Sequence, residues 1–226
     1  MHRRFRYVIC RRSNRSGATC HRPRFFRLAA WLFIGVLAPF ASSCSKPDWS
    51  FGSGGKYNEA SMELIRGRAG NLDKAIQDLQ FVVQENPTYR DSLTLLGKAY
   101  YRKGRYYEAY SIIQRALAVN RDDEIAWLIF GLSQIRVGEN AKGLETIKGG
   151  LTLMAKAMKD DYRGYALWDP RGTVRNMLNR AVFQALKGLE ERETLIQVNE
   201  QLLARIDEEE WFQREGKRVD RALSDG

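Results

Sequence analysis

A 34-residue period constrains this chain more than any other feature. Residues 90–123 read RDSLTLLGKAYYRKGRYYEAYSIIQRALAVNRDD. Leu93, Leu96, Tyr100, Ile113, Ala116 and Leu117 keep the spacing of inward helical faces. Gly97 and Ala109 are small where two antiparallel helices would cross closely. Gly104 stands between those helices, where a helix end favours a residue that tolerates positive φ. One step of 34 residues back sets Gly70, Ala75 and Leu79 on Gly104, Ala109 and Ile113, and Pro87 closes the unit. One step forward sets Trp127, Gly131, Gly138, Gly143 and Ile147 on the same register. A unit of this length cannot bury its apolar stripe alone, so successive units must stack.

These residues carry a family resemblance. Leu96, Gly97, Tyr100 and Ala109 match the pattern W-x2-L-G-x2-Y…A-x3-F of the tetratricopeptide repeat. Leu93 replaces the Trp, Ile113 the Phe, and Arg121 the closing Pro. Met62, Glu63 and Arg66 depart from the Leu, Gly and Tyr of the first unit, and Gln134 from the Tyr of the third. The chain resembles that family over about Lys56–Met154. The resemblance implies an all-α solenoid of antiparallel helix pairs, three recognisable repeats followed by a degenerate helical pair or cap. Helices are expected over 57–69 and 73–85, 90–103 and 107–119, and 124–137 and 141–159. Gly149 has no counterpart in the pattern, so a bend or break is expected there.

Beyond Lys159 the register is lost. Residues 160–172 read DDYRGYALWDPRG, an aromatic connector with Tyr162, Tyr165 and Trp168 expected to pack on the preceding repeat. Thr173 is placed to cap a helix over 174–187, and Gly188 ends it. A helix over 190–208 follows, with Leu195, Val198, Leu202 and Ile206 on one face, then a separate amphipathic helix over 211–223.

The charge is unevenly spread. The chain holds 37 Lys and Arg against 27 Asp and Glu. Residues 1–43 contain nine arginines and no acid, so the rest carries 28 basic against 27 acidic residues. The basic character therefore belongs to the N-terminal segment and gives the repeats no nucleic-acid surface. Residues 28–41 read LAAWLFIGVLAPFA, after arginines and before Ser42, Ser43 and Cys44. A basic region, a short apolar core and small residues form a secretory signal, too short to span a bilayer. Ala41-Ser42-Ser43-Cys44 resembles a bacterial lipobox, with Ala41 where Leu is commoner. That resemblance implies cleavage before Cys44 and its acylation, and Ser45 fits sorting to the outer membrane. The expected layout is a signal over 1–43, a flexible tether over 44–56, repeats over 57–159 and the connector with C-terminal helices over 160–226.

Little in the chain points to catalysis. His2 and His21 are the only histidines, and Cys10 and Cys20 also fall in the signal. The mature chain would lack the commonest general base and metal ligand. The glycine-rich run over 52–56 reads GSGGK and continues with Tyr57, so it lacks the Lys-Ser/Thr of a phosphate-cradling loop. The runs Glu190–Glu193 and Asp207–Glu210 read as solvated helix faces. Neither an enzyme nor a cofactor is expected.

The family resemblance implies instead a concave groove, made by the first helix of each pair, that takes a peptide or helix. The positions so implied are Leu64, Arg68, Thr94, Lys98, Tyr101, Arg102, Leu128, Leu132, Ile135 and Arg136. The Lys, Asn and Arg clamp of chaperone-binding relatives is absent. Two readings of the groove stand: an apolar peptide site, or a surface filled by the chain's own C-terminal helices. The expected role is a lipid-anchored envelope scaffold facing the periplasm. It is similar to pilotins, adaptors of peptidoglycan enzymes, or accessories of β-barrel assembly. Its partner would be an envelope protein or peptide. A self-associating structural protein is the alternative.

Overall fold

The computed structural model describes residues 52–159 and 168–224, all of them within one compact unit. The signal, Cys44 and most of the tether lie outside the described residues, as do Tyr162 and Tyr165. The described residues form eight α-helices and no strand: α1 (Ser53–Ile65), α2 (Leu72–Glu85), α3 (Ser92–Arg102), α4 (Tyr106–Val119), α5 (Glu124–Arg136), α6 (Asn140–Lys159), α7 (Thr173–Lys187) and α8 (Arg192–Ser224). Four antiparallel pairs follow one another, and one apolar core runs through all of them.

The turns explain the period. Gly104 and Gly138, 34 residues apart, have φ of +78° and +99°. Each ends a first helix in the same way: Arg105 N–H donates to the Tyr100 carbonyl at 2.9 Å and Glu139 N–H to that of Gln134 at 2.8 Å. A side chain would strain that left-handed residue. Gly70 occupies the same register for another reason. Its φ is −84°, and a Cβ there would fall onto the backbone of Glu63. The left-handed turn of the first pair is made earlier, at Gly67, where φ is +61°.

Side chains cap the starts of α2 and α5. The Asn71 carboxamide accepts from Lys74 N–H at 3.0 Å, and the Asp123 carboxylate from Ala126 N–H at 2.9 Å. Both bonds satisfy amides that have no partner within their helix.

Four expectations need correction. Residues 53–56 are helical, not tether; Lys56 is tied to Asp78 of α2 at 2.8 Å, which gives the first turn a tertiary anchor. No break occurs at Gly149, and α6 runs on through Lys159, its last turns held by buried Met154 and Met158. Thr173 does not cap α7. Asp169, 3 % exposed, does so by accepting from Arg175 N–H at 3.0 Å. The two helices expected over 190–208 and 211–223 are one, α8. Between Asp207 and Trp211 no Gly or Pro interrupts it, and Arg214 pairs back to Glu210 at 2.8 Å.

Candidate functional site

The first helices α1, α3 and α5 line one face of the stack, and α8 lies along that face. The placement follows from contacts at three points. Arg136 at the end of α5 meets Glu200 at 3.2 Å and Glu193 at 3.5 Å. Tyr101 of α3 donates its hydroxyl to Glu200 at 2.6 Å. Lys98 and Arg102 of α3 both pair with Asp207. Farther along, Arg214 reaches Ser61 of α1 at 3.1 Å. Thus α8 passes from α5 across α3 to α1.

The ten residues implied for the groove divide into three groups. Leu64, Leu128, Leu132 and Ile135 are fully buried. They are core side chains packed between helices, and Thr94 is buried with them, donating its hydroxyl to Asp123 at 2.6 Å. Lys98, Tyr101, Arg102 and Arg136 come together as the polar part of the wall and are engaged by α8. Arg68 falls in the 3₁₀ turn Gly67–Ala69 and is exposed, outside the cluster. The open peptide groove is therefore not what this conformation shows. The chain's own C-terminal helix fills it, the other of the two readings.

Sequence reasoning missed the residues of α8 that do the filling. Asp207 and Glu209 are 5 % and 2 % exposed, although their run read as solvated. The available signal was the spacing. Glu193, Glu200 and Asp207 recur every seven residues, two turns of helix, which sets them on one stripe.

Electrostatics makes this wall demanding. Burial is the main influence on Lys98 and holds its ammonium below the ordinary lysine range, while the Asp207 carboxylate pulls it back up. A buried cation of this kind needs its counter-charge. Burial and then the bond to Glu200 raise the Tyr101 hydroxyl above its usual range, so it stays a donor at neutral pH. Arg102 also donates to the Leu64 carbonyl at 2.6 Å, tying the end of α1 to α3. The Arg136 Nε is buried without an acceptor among the described residues.

The groove is not filled to its end. A cavity of about 570 Å³ remains between α8 and the wall. Tyr57, Thr94, Ile125, Met154, Trp168 and Ile206 are among its lining. Tyr57 donates its hydroxyl to Asp91, 34 residues ahead, one repeat along. What the arrangement can do is hold a helix: charged donors at two heights, apolar side chains between them.

No curated protein matches the chain. The tetratricopeptide repeat family does match, over residues 68–129, which run from the turn before α2 into α5. The all-helical stack built on that segment is consistent with a solenoid of such repeats.

Proposed function

We propose that this solenoid works at the bacterial cell envelope, held to a membrane by lipid on Cys44, and brings an envelope protein or peptide to that surface. One observation carries the reading. A basic and then apolar segment ends in Ala41-Ser42-Ser43-Cys44 a few residues before the first helix of the solenoid. No helix among the described residues is long and apolar enough to cross a membrane. Two or three acyl chains give stable anchoring where one does not. Ser45 favours the outer membrane, facing the periplasm. The test is metabolic lipid labelling of the chain and of Cys44→Ala in a bacterial host. Labelled, processed protein and an unlabelled, unprocessed variant support it. Equal labelling of both ends it. A crosslinked pull-down from membranes of the host then asks for the envelope partner.

A second reading has its own observation. Phe183 and Leu186 on α7 are 62 % and 75 % exposed, on the last pair, where a further repeat would otherwise stack. Self-association through that end fits the structural alternative. Light scattering decides: a dimer abolished by Phe183→Glu favours it.

A further inference from the structure

The reading of the concave face as a partner surface can be sharpened, because α8 is a helix already seated on it and shows what that face accepts. Three acidic side chains of α8 meet the wall at seven-residue intervals, Glu193, Glu200 and Asp207. Opposite them stand Arg136, then Tyr101, then Lys98 with Arg102. Beside the stripe Leu203 is nearly fully buried, and Ile206 is partly buried and lines the remaining cavity. The wall thus reads a helix by two features at once, a carboxylate every second turn and an apolar ridge beside it.

The charged positions select and do not merely tolerate. Lys98 is 5 % exposed, and its one bonded acceptor among the described residues is Asp207. A helix without a carboxylate at that height would leave a cation buried and unpaired, which costs more than the pair contributes. Arg136 has a buried Nε with no acceptor among the described residues, so α8 does not saturate the wall. The far end of α8 is held by polar contacts, Arg214 to Ser61 at 3.1 Å and Arg171 to Glu209 at 2.8 Å. Such contacts exchange readily with those of a competitor. At 33 residues α8 is also more than twice the length of α7, which has 15, so its last turns extend past its antiparallel neighbour.

We propose that the concave wall is a receptor for an acidic amphipathic helix of a partner protein, with carboxylates seven residues apart, and that α8 occupies it in cis until that helix takes its place. This inference rests on the proposed scaffold function and adds the chemistry of the partner and the way access is controlled.

The experiment uses the full chain and a labelled peptide of residues 192–216. The peptide is titrated by fluorescence anisotropy into the wild-type chain and into Glu200→Gln/Asp207→Asn, in which the cis helix is weakened. The expected result is binding at least tenfold tighter to the double variant. A peptide with the same Gln and Asn substitutions should bind that variant at least tenfold more weakly than the acidic peptide. Equal binding of the two peptides overturns the proposal, as does no binding to a variant that keeps its helical content. If the double variant unfolds, Arg136→Glu replaces it. A peptide carrying Glu193→Lys and Glu200→Lys should then bind better than the acidic one, and the reverse order overturns the proposal. Neither comparison depends on lipid, so failure of the Cys44 test and failure of this one are separate results. Partner capture from membranes that survives excess acidic peptide would retain the scaffold and reject the concave site.

Discussion

Where α5 meets α6, backbone lies on backbone; where α8 meets the wall, charged side chains span the gap. In the first contact a Cβ on Gly131 would stand 2.8 Å from the Gly143 carbonyl oxygen, and one on Gly143 would stand 2.7 Å from that of Gly131. Ile147 and Ile135 close over the pair and are fully buried. In the second contact the groups that touch are Lys98, Arg102 and Asp207, with Tyr101, Arg136 and Glu200 beside them. The glycine contact is apolar and shape-determined, so it has one solution. The charged contact is set by donor and acceptor positions, which another helix can reproduce. One region is built to be permanent, the other to be specific.

The largest expected effect breaks the charged contact. Asp207→Asn leaves Lys98 buried beside a neutral group and takes a partner from Arg102. Removing one member of a buried pair costs about 3–5 kcal/mol. Urea denaturation should show a loss of that order. Trypsin should cut at Arg205 and Arg214 before the solenoid unfolds. The double variant Lys98→Met/Asp207→Leu should regain most of the loss, since the uncompensated charge is gone. A loss as large in the double as in the single variant would mean that packing, not charge, holds α8.

Next comes the glycine contact. Gly131→Ala brings a Cβ to 2.7 Å of the Ile147 side chain and 2.8 Å of its backbone nitrogen. The two helices must separate, and overpacking of this kind costs about 1–3 kcal/mol. The loss should appear as a lower urea midpoint with α8 still protected from trypsin until the whole chain unfolds. Early release of α8 would show that the two contacts are coupled.

These contacts were unequally legible in the sequence, for a physical reason. Glycine at a helix crossing is constrained by its neighbours at 34-residue register, so Gly97, Gly131 and Gly143 announce themselves by period. Gly104 and Gly138 do so by their left-handed turns. The charged contact joins residues 109 apart, Lys98 and Asp207, and no periodicity links them. Its acidic stripe repeats every seven residues, but the spacing alone does not distinguish a solvated face from one facing a basic wall. Of the groove positions taken from the family resemblance, Lys98, Tyr101, Arg102 and Arg136 meet α8. Those at Leu64, Leu128 and Leu132 proved to be core, because a leucine at an inward position packs against whatever lies there. Gly149 misled the reading of α6 because helix propensity is a weak term: about 1 kcal/mol for a glycine is offset by the packing of Leu151, Met154 and Met158.

The neighbouring glycines give a smaller and more discriminating test of the shape-determined region. A Cβ at Gly150 would meet the Trp127 Cβ at 2.9 Å and Leu128 N at 3.1 Å, whereas one at Gly149 would meet Trp127 Cε3 at an ordinary 3.9 Å. Gly150→Ala should therefore cost about 1–2 kcal/mol. Gly149→Ala should stabilise by about 0.5–1 kcal/mol, since Ala restricts the unfolded chain and suits a helix interior. Thermal melts of the two single variants should move in opposite directions. A fall in both would show that α6 needs the freedom of glycine at Gly149 after all.

The smallest effect concerns a carboxylate that, unlike Asp207, pairs with no cation among the described residues. Asp123 accepts there from the Thr94 hydroxyl and Ala126 N–H, and burial, the first of its influences, raises its carboxyl above the usual range. A raised value means that the folded chain binds its proton more tightly than the unfolded chain. Its contribution to stability is therefore present at acid pH and is lost as pH rises through the folded value. At pH 7 the charged form carries the cost of burial. Asp123→Asn keeps an oxygen for Ala126 N–H, places an amide NH2 from which the Thr94 hydroxyl can accept after turning, and removes that charge. The variant should equal or exceed the wild type at pH 7, by on the order of 1 kcal/mol or less, and the difference should shrink toward pH 4. Urea midpoints at the two pH values check this. A wild type that is the more stable at pH 7 would mean that α5 needs the charge at its N-terminus more than the wall is burdened by it. Asp123 would then resemble Asp207, a carboxylate kept because something positive faces it.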